Sequence, residues 1–217
     1  MSAPGNLFVI SAPSGTGKTS LVKTLVETLP NLTVSISHTT RPQRPAEIDG
    51  LNYYFISDIE FNDMIQRHEF LEHAVVFHYY YGTSQKWVEQ TLAEGNDVIL
   101  EIDWQGARQI QQLFPHCISI FILPPSLSDL ENRLKKRNQD KADIITERLC
   151  DAEETVLHIH EFKYVVVNDD FEKAADELRV IIKASRLLEK KQTLKYAALL
   201  KDLRGKDTRI NASDSNA

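Results

Sequence analysis

Leu7-Phe8-Val9-Ile10-Ser11-Ala12-Pro13-Ser14-Gly15-Thr16-Gly17-Lys18-Thr19 is the stretch from which the rest of the chain is read. Four apolar residues in a row predict a parallel strand buried on both faces. Ser, Pro and Gly interrupt it. Residues 18–29 then place Leu21, Val22, Leu25, Val26 and Leu29 at helical spacing, and Pro30 stops the helix. A glycine-bearing turn between a buried strand and a helix points successive backbone N–H groups inward. Together with the helix N-terminus they make an anion site. Ser11, Ala12, Pro13, Ser14, Gly15, Thr16, Gly17, Lys18 and Thr19 are therefore the expected phosphate-binding residues. Lys18 has the reach for the β- and γ-phosphates, and the Thr19 hydroxyl can hold Mg²⁺. Ala12 stands where the strict pattern has glycine, a mild departure wherever positive φ is not required. Phosphate binding of this kind names neither the nucleotide nor the acceptor.

Outward from this loop the strand-then-helix rhythm repeats. Strands are expected at Asp97 to Ile102, Ile118 to Leu123 and Tyr164 to Val167. Helices are expected at Gln105 to Leu113, at Ser126 to Lys136 with Ser126 as N-cap, and at Phe171 to Glu189. Such alternation predicts an α/β fold with a parallel sheet. Two regions break it. Residues 35–95 are rich in aromatics, including Phe77 and Tyr79-Tyr80-Tyr81, among short strands and a helix at about 58–67. Residues 137–148 are polar, lie between two helices and read as a mobile segment. The tail after Leu203 reads as frayed.

The chain has 217 residues, enough for one core with inserted subdomains, and its 42% apolar and 26% charged residues are ordinary for a globular protein. A formal net charge of −6 argues against a general nucleic-acid binder. No basic n-region opens the chain and no apolar run is long enough for a membrane span, so a cytoplasmic protein without membrane or nucleic-acid partners is expected. Cys117 and Cys150 lack metal-ligand spacing and read as buried or half-buried free thiols.

The insertion carries further chemistry. Arg41 and Arg44 sit in Thr40-Arg41-Pro42-Gln43-Arg44-Pro45, and guanidinium groups suit bidentate phosphate recognition; a solvated charge pair is the plain alternative. Tyr53, Glu72, Tyr81 and Thr83 follow on predicted strands or turns, where a carboxylate beside hydroxyls could read a base edge.

In order along the chain stand APSGTGK at 12–18, SHTTRPQRPAEIDGLNYYF at 37–55, FLEHA at 70–74, YYGTS at 80–84, EIDWQGA at 101–107, FILPPS at 121–126 and VVVNDD at 165–170. This series resembles the guanylate kinase family from about Leu7 to Leu188. The resemblance implies a P-loop NTPase-type parallel sheet core flanked by helices, with an inserted GMP-binding subdomain and a helical lid. The domain would span 1–204, with core segments at about 1–36, 91–125 and 161–190, the insertion at about 37–90 and the lid at about 126–160. A flexible tail would cover 205–217.

The implied activity is transfer of the γ-phosphoryl group of ATP to GMP with Mg²⁺. Acceptance of dGMP is left open, and a homo-oligomer is compatible with the sequence. By position, Arg41, Arg44, Tyr53 and Tyr81 would hold the GMP phosphate. Ser37, Glu72 and Thr83 would read guanine, and Asp103 would lie near the GMP ribose or base. Arg133, Arg137 and Arg148 would bring charge to the transferring group, and Asn168 would lie near adenine. The sequence departs from the family pattern at Glu101, where Asp is usual, at Tyr79, where Asn is frequent, and at Asn138, where Gly is frequent. The competing readings are another small-molecule P-loop kinase and a non-catalytic interaction module. The intact Lys18 and Thr19 speak against the module.

Overall fold

The structure is a computed structural model describing residues 3–136 and 142–204. Its centre is a five-stranded parallel sheet in the order β2-β7-β1-β8-β9, formed by β1 (Leu7–Ser11), β2 (Leu32–Val34), β7 (Asp97–Glu101), β8 (Ile118–Leu123) and β9 (Tyr164–Val167). In the middle strands nearly every residue is buried, as a sheet covered on both faces requires. Successive side chains still alternate. Phe8 and Ile10 join Leu21, Leu25, Ile120 and Leu178 on the face covered by α1 (Lys18–Thr28) and α7 (Phe171–Ser185). Leu7 and Val9 join Val88, Leu100 and Ile110 on the other face, against α3 (Gln85–Ala93) and α4 (Trp104–Leu113).

A second sheet, in the order β4-β3-β6-β5, holds β3 (His38–Thr39), β4 (Tyr54–Phe55), β5 (Phe70–Val76) and β6 (Tyr79–Ser84). One face packs on α2 (Asp58–Gln66) through Phe61, Met64 and Phe70. Ser57 caps α2 by accepting from the Glu60 N–H. Beyond β8, α5 (Leu127–Lys136) and α6 (Ala142–Leu157) pack together through Leu130, Leu134 and Ala152, and a 3-10 turn at Ile159–Glu161 leads into β9. Ser126 Oγ accepts from the Asp129 N–H at 3.0 Å, as the expected N-cap of α5.

Several expectations need correction. The helix expected to reach Glu189 ends at Ser185, and α8 (Glu189–Lys195) starts after a break. The side chain of Arg186 is tied to Asp97 Oδ2 at 2.7 Å and to the Pro30 carbonyl at 2.8 Å, which fixes the chain where it leaves the helix. Within the segment expected to be mobile, residues 142–148 are helical, because Ile145, Leu149 and Ala152 lie on one face of α6 against α5. Cys117 is buried as expected, but Cys150 is exposed on α6. Arg137, Asn138 and the tail at 205–217 lie outside the described residues. No helix among the described residues is long and apolar enough to cross a membrane.

Candidate active site

The loop from Ser11 to Lys18 leaves the C-terminal end of β1 and enters α1. Gly15 and Gly17 have φ of 95° and 98°, a region costly for residues with a Cβ. Ala12 has no positive φ, so the departure from glycine there is harmless. The N-terminus of α1 has no side-chain cap and no acidic residue in its first turn, which leaves its N–H groups available to an anion. Ser11 Oγ and Thr16 Oγ1 are buried without a hydrogen-bond partner among the described residues, and so is Glu101 Oε1 at the end of the neighbouring β7. Orphaned oxygens in such a place call for a ligand, an ion or water.

Lys18 Nζ donates to the Ile102 carbonyl at 3.3 Å. Burial pushes its ammonium down from the usual value, against the pull of Glu101 and Asp103. Thr19 is exposed in the first turn of α1. Asn168 Nδ2 donates to the Thr16 carbonyl at 2.7 Å; Arg133 donates to the same carbonyl at 3.0 Å and to the Asn168 carbonyl at 2.9 Å. These two residues therefore brace the loop from behind. From α6, Arg148 donates to Ser14 Oγ at 3.3 Å.

On the second sheet, Glu72 and Thr83 face each other on β5 and β6. Thr83 Oγ1 donates to Glu72 Oε1 at 2.6 Å, and the two residues are 0% and 4% exposed, Thr83 being the fully buried one. Burial pushes the Glu72 carboxyl up to about 7, Asp103 adds to this, and the bond from Thr83 opposes it. The carboxylate fits only because residue 106 is glycine: a Cβ there would lie 2.4 Å from Glu72 Oε2. Asp103 is the N-cap of α4, accepting from the Gly106 N–H at 3.0 Å, and burial also raises its carboxyl. The N-terminus of α4 thus separates the Glu72 pocket from Lys18. Ser37, half-buried just before β3, accepts from the Tyr54 N–H through its carbonyl, which keeps its hydroxyl for other partners.

Arg41 donates to Glu47 Oε1 at 2.7 Å and to the Pro42 carbonyl at 2.8 Å, with its guanidinium 5.5 Å from the Tyr53 ring centre. Burial works against its charge, but Glu47 and Tyr81 together outweigh this and raise its pKa. Glu47 also accepts from the Arg44 N–H at 2.9 Å, so one carboxylate ties both arginines. Tyr53 and Tyr81 pack edge to face at 5.9 Å, and burial lifts the Tyr53 phenol to about 12. The Arg44 guanidinium makes no hydrogen bond or ion pair among the described residues.

Sequence reasoning did not single out Glu47, Gly106 or the Thr16 carbonyl. Glu47 had a usable signal, being an acid three residues after Arg44 in a proline-rich turn. Gly106 and a backbone carbonyl carry no chemical signature of their own.

The family model described as guanylate kinase matches residues 4–185. The chain is 51% identical to the guanylate kinase of Saccharophagus degradans over 203 residues, covering 94% of this chain and 99% of that protein. It is 52% identical to the Coxiella burnetii guanylate kinase over 198 residues, covering 91% and 96%. A crystal structure of guanylate kinase from Anaplasma phagocytophilum superposes with a TM-score of 0.74 at 34% identity, covering 87% of this chain and 89% of that one.

Proposed function

The chain belongs to the guanylate kinase family, and from that premise we propose that it transfers the γ-phosphoryl group of ATP to GMP, giving ADP and GDP, with the residues above in the following roles. The observation that carries the choice of acceptor is the buried Glu72–Thr83 pair, set on the far side of the α4 N-terminus from Lys18. Guanine offers N1–H and the 2-amino group as neighbouring donors and O6 as an acceptor. An ionised Glu72 accepts from the donors, Thr83 Oγ1 holds that carboxylate in place through the bond it donates, and the Ser37 hydroxyl is suited to O6.

Phosphoryl transfer is mainly positioning and charge neutralisation. The GMP phosphate oxygen is already an anion, so no strong base is needed. Arg41 and Arg44 neutralise the acceptor phosphate, with Tyr53 and Tyr81 completing its contacts. Glu47 pre-orients the Arg41 fork, which lowers the entropy lost when phosphate binds. The loop N–H groups and Lys18 hold the donor phosphates, with Arg133, Arg137 and Arg148 as the lid cations. Arg133 and Asn168, bonded to the loop carbonyl, also keep the loop in its binding shape. Asp103 lies between the two phosphate-bearing substrates.

Mg²⁺ uses few protein ligands and takes substrate phosphate oxygens and water for the rest. The Thr19 hydroxyl and the unpartnered Glu101 Oε1 fit such a hard cation and would hold it. Bound there, the ion neutralises charge on the donor phosphates. The longer side chain of Glu101 is compatible with this role.

The test is a coupled assay with ATP, Mg²⁺ and a panel of nucleoside monophosphates. GMP should be turned over far faster than AMP, UMP or CMP. Equal turnover of AMP would refute the assignment of Glu72.

A further inference from the structure

β5 and β6 are joined by just two residues, Phe77 and His78, with Val76 opposite Tyr79. Both turn residues have positive φ, 48° and 69°. Two-residue hairpins of this geometry favour Asn-Gly and similar pairs, because a Cβ at positive φ crowds the neighbouring carbonyl. A bulky aromatic followed by histidine makes the turn strained, and such strain persists where the surrounding structure has a use for it. Both side chains reach the same place. The Arg148 guanidinium lies over the Phe77 ring, 5.6 Å from its centre, and His78 Nε2 is 3.6 Å from Glu147 Oε1. Arg148 in turn donates to Ser14 Oγ of the phosphate loop. The acceptor-side hairpin, the lid helix α6 and the donor loop therefore meet at one guanidinium.

We propose that Phe77 is a positioning residue for phosphoryl transfer, its ring seating Arg148 over the phosphate loop when the acceptor sheet is in its closed position. This rests on the reading of Arg148 as a cation serving the donor phosphates. An aromatic face holds a guanidinium through its quadrupole and through contact with a flat, weakly hydrated cation. The platform moves with the hairpin that carries Glu72, Tyr81 and Thr83. The hairpin and the donor loop are in this way joined through one guanidinium. The His78–Glu147 pair is too exposed to contribute much.

The experiment uses the full chain and compares Phe77→Leu, Phe77→Tyr, Arg148→Ala, the Phe77→Leu/Arg148→Ala double variant and Phe77→Asn/His78→Gly. Phe77→Leu, close in volume but without a quadrupole, should lower kcat about tenfold with KM for ATP little changed. Phe77→Tyr keeps the ring face and should restore kcat. In the Arg148→Ala background Phe77→Leu should add no further loss, because the two act as one unit. The Asn-Gly turn suits its backbone better, so that variant should melt higher than the wild type yet lose the same kcat as Phe77→Leu. Wild-type kcat in Phe77→Leu or in the Asn-Gly variant, or losses that add in the double variant, would overturn the proposal while leaving the assignment of Arg148 intact. Wild-type kcat in Arg148→Ala would overturn that assignment itself.

Discussion

Burial lifts the Glu72 carboxyl from 4.5 to about 7, which sets fold stability and acceptor binding against each other near neutral pH. Its folded pKa lies above its unfolded one, so ionisation favours the unfolded chain. The penalty is absent below about 4.5 and grows as pH rises through 7, to on the order of 3 kcal/mol. Guanine needs the ionised form. Turnover of GMP at low concentration should therefore fall as pH drops below about 7, while KM for ATP follows a different profile. Glu72→Gln removes the charge and keeps the shape. It should melt higher than the wild type at pH 8, lose the preference for GMP over AMP, and show no acidic limb of this origin; a variant that kept wild-type preference would remove Glu72 from the pocket. At Lys18 the expectation is simpler. Lys18→Ala deletes the charge that the proposed mechanism sets on the donor phosphates, and it should cost roughly 10²–10³ in kcat with the fold intact. Arg41→Lys loses the planar fork that Glu47 orients, so separate titrations should show GMP weakened more than ATP.

At the scale of elements, α4 is the partition of the site. Its N-cap is Asp103 and its first turn brings Gly106 against the Glu72 carboxylate. Gly106→Ala would put a Cβ 2.4 Å from Glu72 Oε2, so β5 or the carboxylate must move. The expected result is a raised KM for GMP with ATP binding spared, since the phosphate loop lies beyond the helix. Isothermal titration with each nucleotide would separate the two, and equal weakening would mean that α4 itself had shifted. The donor side has a matching close approach. A Cβ on Gly17 would lie 2.7 Å from Asn168 Nδ2, on top of the strain of φ 98°. Gly17→Ala should accordingly weaken ATP and lower thermal stability together, which sets it apart from Lys18→Ala.

For the whole molecule, the second sheet, α6 and the loop after β1 meet at the Phe77 hairpin and Arg148. A transfer that excludes water needs these parts to close over both nucleotides and open to release products. Small-angle scattering should show the chain more compact with a two-headed nucleotide that fills both sites than without it. An identical profile in the two states would argue against closure.

Much of this was legible in the sequence because it depends on local chemistry. The run Leu7 to Thr19 carries strand, turn and helix N-terminus in adjacent residues, so this strand–loop–helix unit could be read directly. The central strands were likewise readable as apolar runs bounded by turn residues, and the ordered motifs pointed to Arg41, Glu72 and Thr83. Three-residue β2 and the first turns of α6 were not legible, because their stability comes from neighbours: β2 from pairing with β7, and α6 from packing on Leu130 and Leu134. Arg186, at the break after Ser185, is tied to Asp97 and Pro30, about ninety and one hundred and fifty residues away. Sequence offered the candidate groups for phosphate and guanine. Tertiary structure alone decided that the Glu72 carboxylate packs on Gly106, that Asn168 bonds the Thr16 carbonyl, and that Phe77 lies under Arg148, because each is a contact between segments whose separation along the chain carries no trace of their meeting.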